Sequence, residues 1–398
     1  MLTYKEHFES KRPDGRNVCT MAAQMEMFRN MKQKLAMPDN LDAESFKAWR
    51  AKVKEKQIEL LCLPEFTPQP APLKLYSVQR EGYRVEKWEL YPDDYTVVPF
   101  LALIPDNASK ANPVPAVLCL PGSNHSKEFL AGEPQINHPN GACTDWKERN
   151  QMAKYMVENG MAAFVFDNPG TGETAVMTDP AFGETLWNTR TQFCHGYLDM
   201  GMSYLGVSVF QKLCFMEHLK TLDYVDQDRI ALSSHSLGTE VAGAMGVICD
   251  NLKAVVFNEF LHNDLRRYVA ITEQEENNMI QNIGNWHIVP GRLQWFGFPE
   301  QCAAIAPCPL IITEGGPDEF INLVRRGYAA AGVPENFEVS YYPEFADPAS
   351  RTVHDDIPDK GLTRNEYYRE YSYCIPEDHS FRRDPAIKFL RKHFGMKD

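Results

Sequence analysis

The sequence predicts an α/β fold, in which a mostly parallel, doubly wound sheet has helices on both faces. Short apolar runs recur along the chain with helical stretches between them, which is typical of repeated strand-helix-strand units. Most residues of these runs are apolar, as expected of strands that are buried on both faces of a sheet. They cover residues 116–120, 162–166, 230–233, 254–257, 310–313 and 337–342, and a strand pair is expected at 83–90 and 97–104.

The stretches between these runs carry apolar residues at the spacing of an amphipathic helix. Two segments, residues 171–201 and 259–299, do not fit the alternation. Each follows a strand, so we predict cap or pocket insertions at the carboxyl ends of the strands, where sites form in such sheets. The predicted helices cover residues 146–159, 202–222, 237–249 and 319–331, with a closing helix at 385–394.

The N-terminal part has a different texture. We predict helices over residues 21–34 and 43–61, followed by an extended linker that is rich in proline. The chain is therefore divided into a helical extension with a proline-rich linker, residues 1–75, and an α/β domain, residues 76–398.

The composition argues against several classes of function. A net charge of -13 argues against a surface that binds nucleic acid or anionic lipid, since both need clustered Lys and Arg. No apolar run approaches the roughly 18 residues of a membrane span, and the first residues lack the layout of a signal peptide. We expect a cytoplasmic location, or a secreted or periplasmic one if a leader has been removed. The cysteines include no Cys-x-x-Cys pair, which argues against a metal site or a disulfide framework.

The strongest local motif runs from Ser234 to Gly238, Ser-His-Ser-Leu-Gly, between an apolar strand and a helix rich in small residues. It matches the Gly-x-Ser-x-Gly turn that carries a nucleophilic serine, with Ser234 in place of the first glycine. Small residues are needed on both sides because the turn is strained and closely packed. We predict that Ser236 is a nucleophile.

A serine nucleophile needs a histidine base that is oriented by a carboxylate, here in the order serine, acid, histidine. Asp318 is the predicted acid because it follows an apolar strand and a Gly-Gly-Pro turn, and Glu314 and Glu259 are the alternatives. His379 is the predicted base, since it lies after the last strand and just before the closing helix. His354, which comes sooner after that strand, is its rival. With an ordinary histidine as base, activity should fall below about pH 6.5.

The oxyanion formed during acyl transfer needs two N–H donors. Leu237, the residue after the nucleophile, is one predicted donor, and the turn at Gly122 and Ser123 supplies the second. The loop from Asp167 to Gly172 lacks the residues of a phosphate-binding loop and is predicted to be a structural loop beside the pocket.

The aromatic residues of the insertion at 259–299 favour either a hydrophobic cap core or a substrate platform. The predicted pocket residues are His125, Glu259, Trp286, His287 and Trp295.

From about Tyr83 to the C-terminus, the chain resembles the α/β-hydrolases of the dienelactone-hydrolase and acetyl-xylan-esterase-like branch. The helical N-terminal extension is also similar to that branch. The resemblance implies the α/β-hydrolase fold and a triad of Ser236, Asp318 and His379. Pro121 and Ser234 depart from the branch, which often has histidine and glycine at these positions. The resemblance rests on the serine motif, Leu120-Pro-Gly122, Asp167-Asn-Pro-Gly-Thr-Gly172, Val225-Asp-Gln-Asp-Arg-Ile230, Trp286-His-Ile-Val-Pro-Gly291, Trp295-Phe-Gly-Phe-Pro299 and Thr313-Glu-Gly-Gly316.

Together these features predict a serine esterase that acts through an acyl-enzyme on a small-molecule or carbohydrate ester, in the manner of an acetyl xylan esterase. The triad supplies both nucleophile and base, so we expect no metal and no cofactor. A peptidase or a lactone hydrolase with the same triad is an alternative, and so is a non-catalytic binding module on the same scaffold. The sequence leaves homo-oligomerisation open.

Overall fold

The computed structural model describes residues 13–123, 125–133, 149–175, 190–273, 284–351 and 357–397. Within these residues, nine strands form one sheet in the order β1-β2-β3-β5-β4-β6-β7-β8-β9. The strands are β1 Leu73–Arg80, β2 Tyr83–Leu90, β3 Val98–Pro105, β4 Val114–Leu120, β5 Ala162–Phe166, β6 Val225–His235, β7 Ala254–Asn258, β8 Leu310–Ile312 and β9 Phe337–Val339.

The sheet is mostly parallel. Strands β4 to β9 pair in parallel with their neighbours, while β1, β2 and β3 are joined to the sheet by antiparallel pairing. This arrangement confirms the predicted α/β-hydrolase fold. Strand β1 is an addition to the sequence analysis, which assigned its first residues to the linker. Its side chains are almost all exposed, so it lacks the apolar run that revealed the other strands.

Helices cover both faces of the sheet. They are α1 Thr20–Arg29, α2 Ala43–Leu61, α3 Lys127–Ala131, α4 Met152–Glu158, α5 Arg190–Asp199, α6 Tyr204–Leu219, α7 Leu237–Ile248, α8 Asp264–Ala270, α9 Phe298–Ala303, α10 Asp318–Ala330, α11 Arg364–Glu366 and α12 Arg383–Phe394. No helix in the described part of the chain is both long and apolar enough to cross a membrane.

Strand β4 illustrates why the sheet is buried on both sides. Successive side chains of a strand point to opposite faces. Leu118 and Leu120 belong to one hydrophobic cluster, whereas Val117 and Cys119 belong to a second cluster on the other face. A continuous apolar run is therefore what this position in the sheet requires.

Helix α2 packs on the larger of these clusters. Its buried apolar residues include Phe46, Trp49 and Val53, at the spacing that places side chains on one helix face. The helix begins at a capping box, in which the side chain of Asp42 accepts from the backbone N–H of Ser45 at 2.8 Å. The N-terminal helix thus shares the hydrophobic core of the sheet.

The parallel pairing brings several chain segments to the same edge of the sheet. Strands β4, β6, β7 and β8 are neighbours and point the same way. The residues that directly follow them therefore meet at one edge, as they do in open α/β sheets. These residues include the predicted nucleophile, oxyanion turn and acids.

Candidate active site

Ser236 lies on a sharp turn between β6 and α7. Its φ of 50° and ψ of -122° are unusual for a residue with a side chain, and such backbone strain costs about 1 to 3 kcal/mol. The turn is held by a hydrogen bond of 3.0 Å from the N–H of Ser236 to the carbonyl of Asn258. A side chain at Gly238 would lie 2.2 Å from the carbonyl oxygen of Leu120, which explains why only glycine fits there.

Ser234 occupies the position where the motif usually has glycine. Its side chain is fully buried, and its hydroxyl donates to the carbonyl of Val256 at 2.8 Å. The hydroxyl is therefore satisfied within the sheet by the neighbouring strand β7. This bond explains how the turn tolerates a serine at this position.

His379 is oriented by a carboxylate. Its Nδ1 lies 2.8 Å from Oε2 of Glu314, which leaves Nε2 on the side of the ring away from Glu314. Glu314 is fully buried, and the hydroxyl of Tyr342 donates to its other oxygen at 2.6 Å. A buried carboxylate that accepts two hydrogen bonds in this way is held in one orientation.

The acid is where the structure differs from the prediction. The partner of His379 is Glu314, whereas Asp318 is the first residue of helix α10. Glu314 comes two residues after β8, and the chain then turns through Gly315 and Gly316, both with positive φ. A side chain at Gly315 would lie 2.5 Å from the ring of Tyr341. The strand therefore delivers Glu314 to the histidine, and a carboxylate at a helix start, where Asp318 stands, needs no catalytic explanation.

The sequence offered two candidates for the base, His379 and His354. His354 lies outside the described residues. The described histidine that faces a buried carboxylate after the last strand is His379, at the end of the turn Pro376–Asp378.

The predicted oxyanion donors lie beside the nucleophile. Leu237 and Ser123 line the same cavity as Ser236. Leu237 is the first residue of α7, so its N–H has no partner within the helix. A side chain at Gly122 would lie 3.3 Å from Cβ of Ser236, which shows how close this turn is to the nucleophile.

Asn168 fixes the orientation of that turn. Its side-chain amide donates to the carbonyls of Pro121 at 3.0 Å and Gly122 at 2.9 Å. In a trans peptide, the C=O of one residue and the N–H of the next point in opposite directions. Holding the carbonyl of Gly122 toward Asn168 therefore directs the N–H of Ser123 the other way. The loop after β5, predicted to be structural, thus supports the oxyanion turn.

Asn258 connects the segments that carry the nucleophile, the acid and the histidine. Its amide lies 2.8 Å from Nδ1 of His235 and donates to the carbonyl of Ser380 at 3.0 Å. Its side-chain oxygen accepts from the hydroxyl of Thr313 at 2.9 Å and from the N–H of Arg382 at 2.6 Å. Sequence reasoning missed this residue, and the only available signal was its position at the end of a buried strand.

His235 has an unexpected position. Its ring is buried, and its centroid lies 4.6 Å from that of His379. Burial, together with the nearby rings of His379 and His125, holds its pKa well below the ordinary histidine value. His235 is therefore neutral, which agrees with an amide that donates to its Nδ1.

Two carboxylates raise the pKa of His379. Burial opposes protonation of the ring, but Glu314 and Glu259 outweigh it and raise the pKa to about 9. Oε2 of Glu259 lies 4.0 Å from Nε2 of His379, on the side opposite Glu314. Burial in turn raises the pKa of Glu259 above its ordinary value, although the charge of His379 opposes this.

A cavity of about 230 Å³ adjoins these groups. Of the predicted pocket residues, Glu259 and His287 line it, and both belong to the insertion at 259–299. The other lining residues include Thr239, Glu240, Phe260, His262, Asp264, Arg267, Tyr268, Arg292, Phe298, Arg364, Tyr368, Cys374 and Pro376.

Three predicted pocket residues do not line this cavity. The ring of His125 stacks on that of Phe129, with 4.6 Å between centroids. Trp286 lies beneath the guanidinium of Arg190 at 4.6 Å. The ring of Trp295 faces the amino group of Lys56 at 3.9 Å, so it serves the contact with helix α2. Aromatic composition alone could not distinguish such packing from a substrate platform.

Glu314, Cys374 and His379 each present one atom that could bind a metal, and these atoms lie within 4.8 Å of one another. Burial raises the pKa of the Cys374 thiol well above its ordinary value, whereas metals bind the thiolate. The histidine and the carboxylate already form a hydrogen bond. The group therefore fits an acid-base pair better than a metal centre.

The Abhydrolase family model matches residues 3–392. A crystal structure from Bacteroides fragilis, of a protein provisionally named an acetyl xylan esterase, is 33% identical with a TM-score of 0.86, and the match covers 98% of this chain and 100% of that one. No curated protein sequence gives a significant match.

More distant structures share the fold. A methylesterase is 12% identical with a TM-score of 0.58, over 95% of this chain and 68% of that chain. A glucuronoyl esterase from Solibacter usitatus is also 12% identical, with a TM-score of 0.54 over 88% of this chain and 94% of that chain. The family model spans nearly the whole sequence, and the Bacteroides protein matches over its whole length. The chain is therefore a member of the abhydrolase family.

Proposed function

We propose that this protein is a serine carboxylic-ester hydrolase in which Ser236, His379 and Glu314 form the catalytic triad. The observation that carries the proposal is the strained turn of Ser236, which shares one cavity with a histidine hydrogen-bonded to a buried carboxylate. Strain of this kind persists where the surrounding structure holds it, and it clusters at active sites.

The geometry supports a two-step acyl transfer. Nε2 of His379 accepts the proton of Ser236 as Oγ attacks the ester carbonyl, and Glu314 stabilises the imidazolium that forms. The N–H groups of Leu237 and Ser123 stabilise the oxyanion. The imidazolium then protonates the leaving alcohol, which departs and leaves an acyl group on Ser236. Water, deprotonated by His379, attacks this acyl-enzyme, and the acid product leaves as the serine regains its proton.

We further propose a carbohydrate-type ester as substrate. The Bacteroides relative is provisionally named an acetyl xylan esterase, and the distant relatives are named as a methylesterase and a glucuronoyl esterase. The cavity supports this reading because polar and charged side chains form much of its lining, and they can hydrogen-bond sugar hydroxyls.

The experiment assays the wild type and Ser236→Ala on para-nitrophenyl acetate, acetylated xylan and methylated pectin. The wild type should hydrolyse at least one of them, and the variant should lose about 10⁶-fold in kcat, as triad serines do. A fluorophosphonate should label Ser236 and no other residue. Near-wild-type turnover by a pure Ser236→Ala preparation would exclude this serine as the nucleophile.

A further inference from the structure

Two of the carboxylates that line the cavity are hydrogen-bonded to basic residues of the same lining. Nη2 of Arg292 lies 2.5 Å from Oδ2 of Asp264. Nδ1 of His287 lies 2.6 Å from Oε1 of Glu240. These two pairs account for one arginine and two of the three carboxylates that the described residues contribute to the lining.

Arg267 differs from Arg292 and His287 in its contacts. It lines the cavity and donates from Nη2 to the hydroxyl of Tyr368. No carboxylate among the described residues lies within ion-pair distance of its guanidinium. Asp264 and Glu259 act on this cation from beyond ion-pair distance, so a bound anion in direct contact would further offset the cost of removing the guanidinium partly from water.

Tyr368 holds this cation in place and brings a second one near it. The guanidinium carbon of Arg267 lies 5.1 Å from the centre of the tyrosine ring, and that of Arg364 lies 4.9 Å from the same centre. Tyr368 is buried and packs against the ring of Phe260, with 4.8 Å between centroids. Arg364 also lines the cavity, so two guanidinium groups are presented there around one rigid ring.

We propose that Arg267, oriented by Tyr368 and accompanied by Arg364, binds a carboxylate carried by the ester substrate. This inference rests on the proposed function and narrows its substrate class to esters that bear a separate negative charge. The planar fork of a guanidinium matches the two oxygens of a carboxylate.

Glu259 should repel a bound carboxylate only weakly. It is the third carboxylate of the cavity, but burial raises its pKa, so a larger fraction of it is uncharged than in water. The overall charge of -13 gives no long-range attraction for an anion. Recognition must therefore be local, which places it on Arg267.

The carboxylate is carried either by the acyl group or by the alcohol of the ester. Two matched pairs of substrates distinguish these two cases. Para-nitrophenyl hemisuccinate carries the charge on its acyl group, and its neutral counterpart is the methyl ester of the same compound. Meta-acetoxybenzoate carries the charge on its alcohol, and meta-acetoxybenzamide is its neutral counterpart. In each pair only the charge changes substantially.

The wild type should prefer the charged member of at least one pair in kcat/KM. Arg267→Gln should reduce that preference by about 10- to 100-fold, the range expected for a lost hydrogen-bonded charge pair. Arg266→Gln is the matched control, because Arg266 lies on the same helix but pairs with the exposed Asp359 at 3.3 Å. It should leave the preference as in the wild type.

A second measurement on the wild type guards against misfolding of the variant. Free succinate should inhibit hydrolysis of a neutral ester competitively and more strongly than succinamide does. Equal inhibition by the two compounds, or equal rates on both members of each pair, would overturn the inference while leaving the esterase assignment in place. Absence of turnover on every ester would instead overturn the proposed function.

Discussion

Nδ1 of His379 lies 2.8 Å from Oε2 of Glu314, which is fully buried and also receives a hydrogen bond from Tyr342. This pairing gives the imidazole a fixed orientation and a fixed tautomer, since only a protonated Nδ1 can donate to a carboxylate. Nε2 is then the nitrogen that is left to accept a proton.

Replacement of the acid should distinguish Glu314 from Asp318. Glu314→Gln should lower kcat by roughly 10⁴-fold. The imidazolium would lose the negative charge that stabilises it, and the neutral ring would no longer be held in the tautomer with a proton on Nδ1. Asp318→Asn should change kcat by about two-fold or less, as expected of a substitution outside the catalytic groups. Steady-state kinetics measure both, with thermal unfolding as the check on folding. A severe loss in Asp318→Asn with an active Glu314→Gln would return the acid role to Asp318.

Replacement of the base should distinguish the two candidate histidines. His379→Ala should remove most of kcat, since among the described residues it is the histidine that is hydrogen-bonded to Glu314, as a base requires. His354→Ala should change kcat by about a few-fold at most, the usual size for a residue outside the catalytic set. The same kinetic assay applies, and an inactive His354→Ala beside an active His379→Ala would redraw the triad.

The pH dependence of kcat/KM should report the carboxylates around His379. The base must be unprotonated, and its pKa is raised to about 9, so activity should increase with pH up to about that value. The acidic limb of the kcat/KM profile should therefore lie near pH 9, instead of near pH 6.5 as for an ordinary histidine. Glu259→Gln removes one of the charges that favour the protonated ring, so the limb should move to lower pH.

The control for this shift is Glu240→Gln. Glu240 lines the same cavity but pairs with His287, so its replacement should leave the limb where it is in the wild type. An unmoved limb in Glu259→Gln would show that this carboxylate does not act on the base.

Asn168→Ala should weaken the oxyanion site without removing either donor. The carbonyls of Pro121 and Gly122 lose their hydrogen bonds, so the N–H of Ser123 is no longer held in one direction. We expect kcat to fall by about 10- to 100-fold, less than the loss of a whole donor, with a smaller change in KM. A trifluoromethyl ketone, whose adduct carries an oxyanion, should bind more weakly by a similar factor.

A purely structural role for Asn168 would lower stability and leave this inhibitor's affinity unchanged, which would contradict the prediction. Asn159→Ala is the matched control. The amide of Asn159 donates to the carbonyl of Tyr155 at 2.9 Å, and neither residue lines the cavity of the candidate active site. It should affect neither kcat nor the inhibitor.

Asn258→Ala should destabilise the protein and impair catalysis together. The substitution removes hydrogen bonds to four residues, so unfolding free energy should fall by about 2 to 4 kcal/mol, measured by urea denaturation. Thr313→Val removes only one of these bonds and should cost clearly less. Equal losses in the two variants would mean that the network is not centred on Asn258.

The sequence alone determined the features that are encoded within short segments. The apolar runs predicted the central strands because a strand buried on both faces needs apolar residues at successive positions. The turn at Ser236 could be recognised because its strand, its small residues and its helix are contiguous in the chain. The neighbouring strand β4 is the reason that position 238 must be glycine, but the sequence motif itself is local.

The tertiary structure decided which distant residues meet. Glu314 and Asp318 both follow β8, and only the turn through Gly315 and Gly316 determines which carboxylate reaches His379. In the same way, Arg267 and Tyr368 are about 100 residues apart, and only the packing of their segments brings the guanidinium onto the ring. Local propensity carries no information on such pairs, because their energy depends on distance, burial and direction across elements.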